Sequence, residues 1–138
     1  MAEFILDVRV YIEDTDTGGM VYYINYLKYM ERARTEYLRS MGFEISDLLA
    51  AEYFLVVRSA DIKFRAAARL DDELTVSAKI IGQRPASILF DQKVVRIRDN
   101  RLICEADIGI ACIHSKTGKP AAMPQELLHE FAQKGSDV

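Results

Sequence analysis

Residues 11–26 read YIEDTDTGGMVYYINY. Three carboxylates, two glycines and four tyrosines stand there between two segments of different periodicity. Before them, Leu6, Val8, Val10 and Ile12 alternate with Asp7, Arg9, Tyr11 and Glu13. This is the two-residue period of a half-buried strand, so a strand is expected to run up to the acids. After them, Leu27, Met30, Ala33, Tyr37, Leu38 and Met41 recur three or four apart, and Gly42 follows. The spacing predicts a helix of about five turns over 21–41, with Gly42 as its C-terminal cap.

Further along, SDLLAAEY predicts a short helix with Ser46 as N-cap. Phe54, Val56, Ala60, Ile62 and Phe64 fall on one face of an expected strand, and Leu74, Val76, Ala78 and Ile80 on one face of the next. Two more strands flank a turn at Asp99 and Asn100, the second alternating from Leu102 through Cys104, Ala106, Ile108 and Ile110 to Cys112. PQELLHEFAQK predicts a terminal helix with Pro124 near its first turn. Four strands without crossover helices between them imply a mainly antiparallel sheet, hence an α+β fold in one domain, 1–138. The sheet covers the helix with one face only, yet Leu55, Val57, Ile81, Leu89, Val95, Ile97, Ile103 and Ile113 make the other face apolar too. Oligomerisation would cover part of it.

Composition narrows the function. Half of the 138 residues are hydrophobic, 28% are charged and the net charge is −3, as in a globular protein without the basic footprint that drives nucleic-acid binding. No apolar run approaches the roughly 20 residues of a membrane span. The N-terminus lacks the marks of a signal peptide, and the two cysteines lack metal-ligand spacing. A cytoplasmic protein with reduced thiols and no metal is expected.

Residues 14–19, DTDTGG, start like a calcium loop. Gly18 then occupies the fifth position and Asn25 the twelfth, where an oxygen ligand and a bidentate Glu are needed. A haloacid dehalogenase type phosphatase also uses Asp-x-Asp after a strand, but in a parallel sheet that this strand order does not make. A plain turn is the simplest reading of two acids and two glycines. The helix that follows adds something else, since its free amides and positive end suit an oxygen that is gaining negative charge. A carboxylate beside such an end is the minimum equipment for acyl transfer. There is no Gly-x-Ser-x-Gly, and His114 and His129 are too scattered for a triad. A thioester fits these absences, because a thiol leaves readily as thiolate.

The run from Val8 to Phe43, VRVYIEDTDTGGMVYYINYLKYMERARTEYLRSMGF, resembles the opening of hotdog-fold acyl-CoA thioesterases of the 4-hydroxybenzoyl-CoA thioesterase family, in particular the bacterial branch associated with the Tol-Pal envelope system. The resemblance continues through FLVVRSADIKFRAAARLDDELTV to MPQELLHEF. It implies a hotdog fold, an antiparallel sheet wrapped around one long helix, with sheets joined between subunits in a homodimer or dimer of dimers. It also implies Asp16 as catalytic carboxylate and the Tyr23 amide as donor to the thioester carbonyl, with Gly19 permitting close approach. Many members of that branch carry His where this chain has Tyr23, so the expected donor is the main chain. Glu31 matches a position that holds a substrate hydroxyl in the 4-hydroxybenzoyl-CoA enzyme. Arg84 and Ser87, in GQRPAS, match a segment that approaches the nucleotide of coenzyme A. The implied substrate is acyl-CoA or acyl-carrier protein, with no cofactor beyond the coenzyme A of the substrate. An acyl-carrier-protein or envelope-complex binding module, which holds an acyl chain with little turnover, is the competing expectation.

Overall fold

The computed structural model describes residues 3–136, with side chains as far as 132. Five strands, β1 (Glu3–Arg9), β2 (Tyr53–Phe64), β3 (Glu73–Arg84), β4 (Ser87–Arg96) and β5 (Arg101–His114), form one sheet in the order β1-β3-β4-β5-β2. Every neighbouring pair is antiparallel. Helix α1 (Ile24–Ser40) packs across β1, β3 and β4; α2 (Ile45–Ala50) leads into β2, and α3 (Gln125–Ser136) closes against β3. The sheet-wrapped long helix expected from the sequence is the observed fold.

Alternation fixes which face is buried. Leu74, Val76 and Ala78 are fully buried and Ile80 nearly so, and Cys104, Ala106, Ile108, Ile110 and Cys112 line the same core from β5. They meet Tyr26, Tyr29, Met30, Ala33, Tyr37 and Leu38 of α1. Each of the larger aliphatic side chains among them contributes about 1.5–3 kcal/mol on full burial. Gln92, fully buried, ties helix to sheet by donating from Nε2 to Met30 O (3.0 Å) and Ser77 O (3.2 Å).

The far end of α1 closes as predicted. Gly42 takes φ +89°, its amide donates to Arg39 O and that of Phe43 to Leu38 O, both at 3.0 Å, which is a Schellman motif. Four expectations need correcting. The first strand ends at Arg9 and gives way to a 3-10 turn, Ile12–Asp14, so Ile12 does not join the core and is 73% exposed. Ser46 lies inside α2, whose N-cap is Glu44. Ile103 points into the core, fully buried, because the β4–β5 register shifts between Val94 and Val95 and turns that residue over.

The face of β2 is the fourth: its register with β5 shifts between Val57 and Ser59, so Leu55 and Val57, expected outside, stand opposite the core residues Cys112 and Ile110, and Phe54 and Val56, expected inside, lie on the other face. The outer face is apolar in patches, where Phe54, Ile81, Leu89 and Ile97 are exposed large hydrophobics. No helix among the described residues is long and apolar enough to cross a membrane.

Candidate active site

The acidic stretch forms a loop whose two aspartates do different work. Asp14, 5% exposed, is a clamp: Oδ2 accepts from the Tyr11 amide (2.9 Å) and Oδ1 from Asn25 Nδ2 (3.0 Å). Its carbonyl also accepts from the Tyr22 amide (2.9 Å). Asn25 is itself buried in the first turn of α1, so Asp14 joins the end of the first strand to the start of the helix.

Asp16 sits at the tip and is exposed. Its Oδ1 accepts from the amides of Gly18 (2.9 Å) and Met20 (3.4 Å), while Oδ2 takes no hydrogen bond from the described residues. The turn closes through Asp16 N to Met20 O (2.8 Å) and Gly19 N to Asp16 O (3.2 Å). Gly19 has φ +78°, a conformation that costs any side-chain-bearing residue strain. One carboxylate oxygen is thus fixed by main chain and the other is open.

The helix start lies just beyond. Tyr23 is the N-cap of α1 and makes no side-chain cap hydrogen bond. The Tyr22 amide is taken by Asp14 O and the Asn25 amide by Tyr22 O, whereas the Tyr23 amide has no backbone acceptor among the described residues. A free donor at the positive end of a 17-residue helix suits an oxyanion. The Tyr23 ring is half exposed, edge-on to Phe64 at 6.0 Å between centroids and 5.0 Å from Tyr22. Tyr26 and Tyr29 are core residues. Burial raises the pKa of both hydroxyls, and for Tyr29 the neighbouring Asp14 carboxylate adds to the rise.

A second segment, 66–72, braces the loop in a way the sequence did not advertise. Ala68 O accepts from the Val21 amide (2.9 Å), the Leu70 amide donates to Gly19 O (3.1 Å) and the Ala68 amide to Tyr26 Oη (3.0 Å). Asp72, buried, accepts from the Arg69 amide at 2.9 Å and lies 3.6 Å from Arg96, which also holds Asp99 through two hydrogen bonds. Arg96 is therefore a brace. Asn25, Tyr26, Asp72 and Arg96 hold the loop and the helix start in ways that spacing alone does not reveal, because the contacts Asn25–Asp14, Tyr26–Ala68 and Asp72–Arg96 each span 11 or more residues.

The other expected site residues separate into two places. Glu31 lies on the exposed side of α1, at a cavity between α1 and β2. Arg84 and Ser87 face each other across the β3–β4 turn and line a groove with Arg58, Ser59 and Gly109. Within one chain that groove shares no lining residue with the Asp16 turn. Other nucleophiles are poorly placed. Cys104 is buried and its thiol pushed up to about 12, and Cys112 is buried too. His114 bonds Glu52 through Nε2 (3.0 Å) and accepts the Lys116 amide at Nδ1 (3.2 Å). Among the described residues, no group of three or more His, Cys, Asp or Glu side chains is placed to hold a metal ion.

An antiparallel sheet around one long helix, with an aspartate turn at the helix start, defines a hotdog-fold domain. The chain belongs to the thioesterase-like superfamily, whose family model matches residues 10–131. It is 41% identical over 126 residues to the acyl-CoA thioester hydrolase YbgC of Escherichia coli O157:H7, covering 91% of this chain and 93% of that protein. The acyl-CoA thioesterase YbgC of Haemophilus influenzae is 40% identical over 129 residues, 93% of each chain. Among solved structures, a probable thioesterase from Bartonella henselae is 34% identical with a TM-score of 0.82, covering 89% of this chain and all of that one. A 1,4-dihydroxy-2-naphthoyl-CoA thioesterase from Synechocystis shares the fold at a TM-score of 0.88 and 24% identity, over 94% of this chain and 96% of its own.

Proposed function

We propose that this chain, as one domain spanning 1–138, hydrolyses acyl-CoA thioesters to the free acid and coenzyme A. The observation that carries the reading is the Asp16 carboxylate, with Oδ1 pinned by two amides and Oδ2 open, one short turn before the unused Tyr23 amide. The thioester carbonyl accepts from that amide. Asp16 takes a proton from water as the water oxygen bonds to the carbonyl carbon, and the resulting oxyanion is held at the helix end. When the oxyanion collapses, the C–S bond breaks and its electron pair leaves with sulfur as thiolate. In the nucleophilic variant Asp16 itself bonds to the carbonyl carbon, and water then opens the anhydride. A single turnover in ¹⁸O-water identifies the anhydride route where water opens it at the Asp16 carboxyl carbon, since only then does label enter Asp16.

Gly19 supports the close approach of the carbonyl, and Glu31, about 12 Å along the helix from Tyr23, meets a polar end of the acyl group. Arg84 and Ser87, with Arg58 in the same groove, offer donors for coenzyme A phosphates. Supply of that groove by a second copy is supported by the exposed apolar residues of β2 and of the outer sheet face. The assembly is then a homodimer or dimer of dimers, acting in the cytoplasm with the Tol-Pal system, and acyl-carrier protein is the second donor to test.

Purified protein given a panel of acyl-CoAs should release free thiol, and Asp16→Asn should lose at least about 100-fold in kcat/KM. Tight acyl-CoA binding without hydrolysis of any thioester would instead make the chain a binding module.

A further inference from the structure

Arg34 is an arginine on the buried side of α1, only 8% exposed. Its one hydrogen bond to the described residues runs from Nη1 to Gln92 Oε1 (2.8 Å), a neutral acceptor. No described carboxylate lies within ion-pairing distance of it. Burial pulls its pKa down, opposed by the charge of Glu31 one turn earlier, and an arginine keeps its proton under such a shift. The protein thus holds a largely buried cation whose Nε and Nη2 make no hydrogen bond to the described residues and are not sealed from solvent, so they are open to a ligand or to water.

What faces Arg34 is a cavity of about 310 Å³. Leu38, Ile45, Leu55, Ile88, Phe90 and Phe131 give it apolar walls from five of the elements around it, while Glu31 and the exposed Val57 stand at the outer side. An apolar cavity of about 150 Å³ holds benzene, so this one admits a benzene-sized body with room for a polar head and several more carbons. Apolar walls with one charged anchor are the usual design of a small-ligand site.

We propose that the cavity binds an apolar carboxylic acid, its carboxylate on the Arg34 guanidinium and its hydrocarbon against the walls from α1, α2, β2, β4, β5 and α3. A planar carboxylate matches the guanidinium fork with two parallel hydrogen bonds. The size of the space selects acids from about benzoate to octanoate. The inference rests on the hydrolase reading in one respect: such an acid is what thioester hydrolysis releases, so the chain carries a place for its own class of product. Glu31 opposes the anion at the outer side, and its neutral variant should bind acid more tightly.

Isothermal titration of the full chain with octanoate and benzoate tests this, with octanamide as the uncharged probe. Saturable octanoate binding is expected, weaker by about 10-fold or more for octanamide and for Arg34→Met. Val57→Trp, at an exposed position, should weaken it similarly by filling the outer side. Asp16→Asn should bind octanoate as the parent does even though it no longer hydrolyses, so the two proposals fail separately. The cavity site is overturned by absence of saturation up to about 10 mM, by equal binding of octanamide, or by loss of binding in Asp16→Asn. Should Arg34→Met not fold, the octanamide comparison and Val57→Trp decide between the same outcomes.

Discussion

The two ends of α1 follow opposite rules. At the C-terminal end every available device is used: Gly42 at φ +89°, two main-chain hydrogen bonds back to Leu38 and Arg39, and the Arg39 side chain bridging Glu36 and Glu44. At the N-terminal end there is no acidic residue in the first turn and no side-chain cap on Tyr23. A helix that needed only to be stable would carry Ser, Thr, Asp or Asn there. Instead the loop before it is fixed from elsewhere, through Asp14, Asn25 and segment 66–72, so the helix start is held in place while its amide stays free. One end is closed for stability, and the other is left open, as the proposed chemistry requires.

The largest test of this contrast is at the open end. Asp16→Asn keeps an oxygen that accepts from the Gly18 amide, so the turn survives while the negative charge goes. The expected loss of at least about 100-fold in turnover should come with less than about 1 kcal/mol of stability change in urea unfolding. A similar loss of both would mean that Asp16 is part of the scaffold and that the two ends do not differ in kind.

Asp14→Ala is the complement, two residues away. It leaves the partly buried Tyr11 amide and the buried Asn25 side-chain amide without their acceptor, and charged hydrogen bonds of this kind are worth about 1.5–3 kcal/mol each. A destabilisation of about 2–3 kcal/mol is expected, with activity lost through misplacement of the turn. Asp14→Asn, which keeps one acceptor oxygen without the charge, should recover part of kcat, because Asp14 acts on geometry and not on the substrate.

How far the sequence revealed these roles depends on the range of the interactions. The turn at Asp16 and Gly19 and the cap at Gly42 were legible as local structure because the hydrogen bonds that close them span five residues or fewer. The core faces of β3 and β5 were legible because alternation survives in long strands. Asp14 and Asp16 look alike in sequence, and only the contact with Asn25 and the burial of the loop assign one to scaffold and one to solvent. Ile12 and Ile103 were misread for one reason: a 3-10 turn and a register shift each change the period by a residue, and a two-residue pattern carries no mark of where it breaks. The brace from Asp72 and Arg96 joins residues 24 apart, and the anchor at Arg34 depends on Gln92, 58 residues on. Neither spacing has a local signal.

The smallest expected effect belongs to the closed end. Gly42→Ala forces a Cβ into a left-handed backbone conformation, which costs about 1–2 kcal/mol. Nothing lies within 4 Å of the position a Cβ would take, so strain and not collision sets that cost. The substituted residue has two ways to respond. It can keep φ positive and hold both hydrogen bonds to Leu38 and Arg39, or relax and fray the last turn, which frees the carbonyls to water. Urea unfolding should show the loss either way, and amide exchange at Gly42 and Phe43 tells them apart, since fraying speeds exchange at both. In neither case should thioester hydrolysis fall by more than the loss of folded protein, because the free Tyr23 amide and Asp16 are more than four turns away. A selective drop in kcat for Gly42→Ala would show that the ends of α1 are coupled through the helix, and the division between a closed stabilising end and an open catalytic one would have to be abandoned.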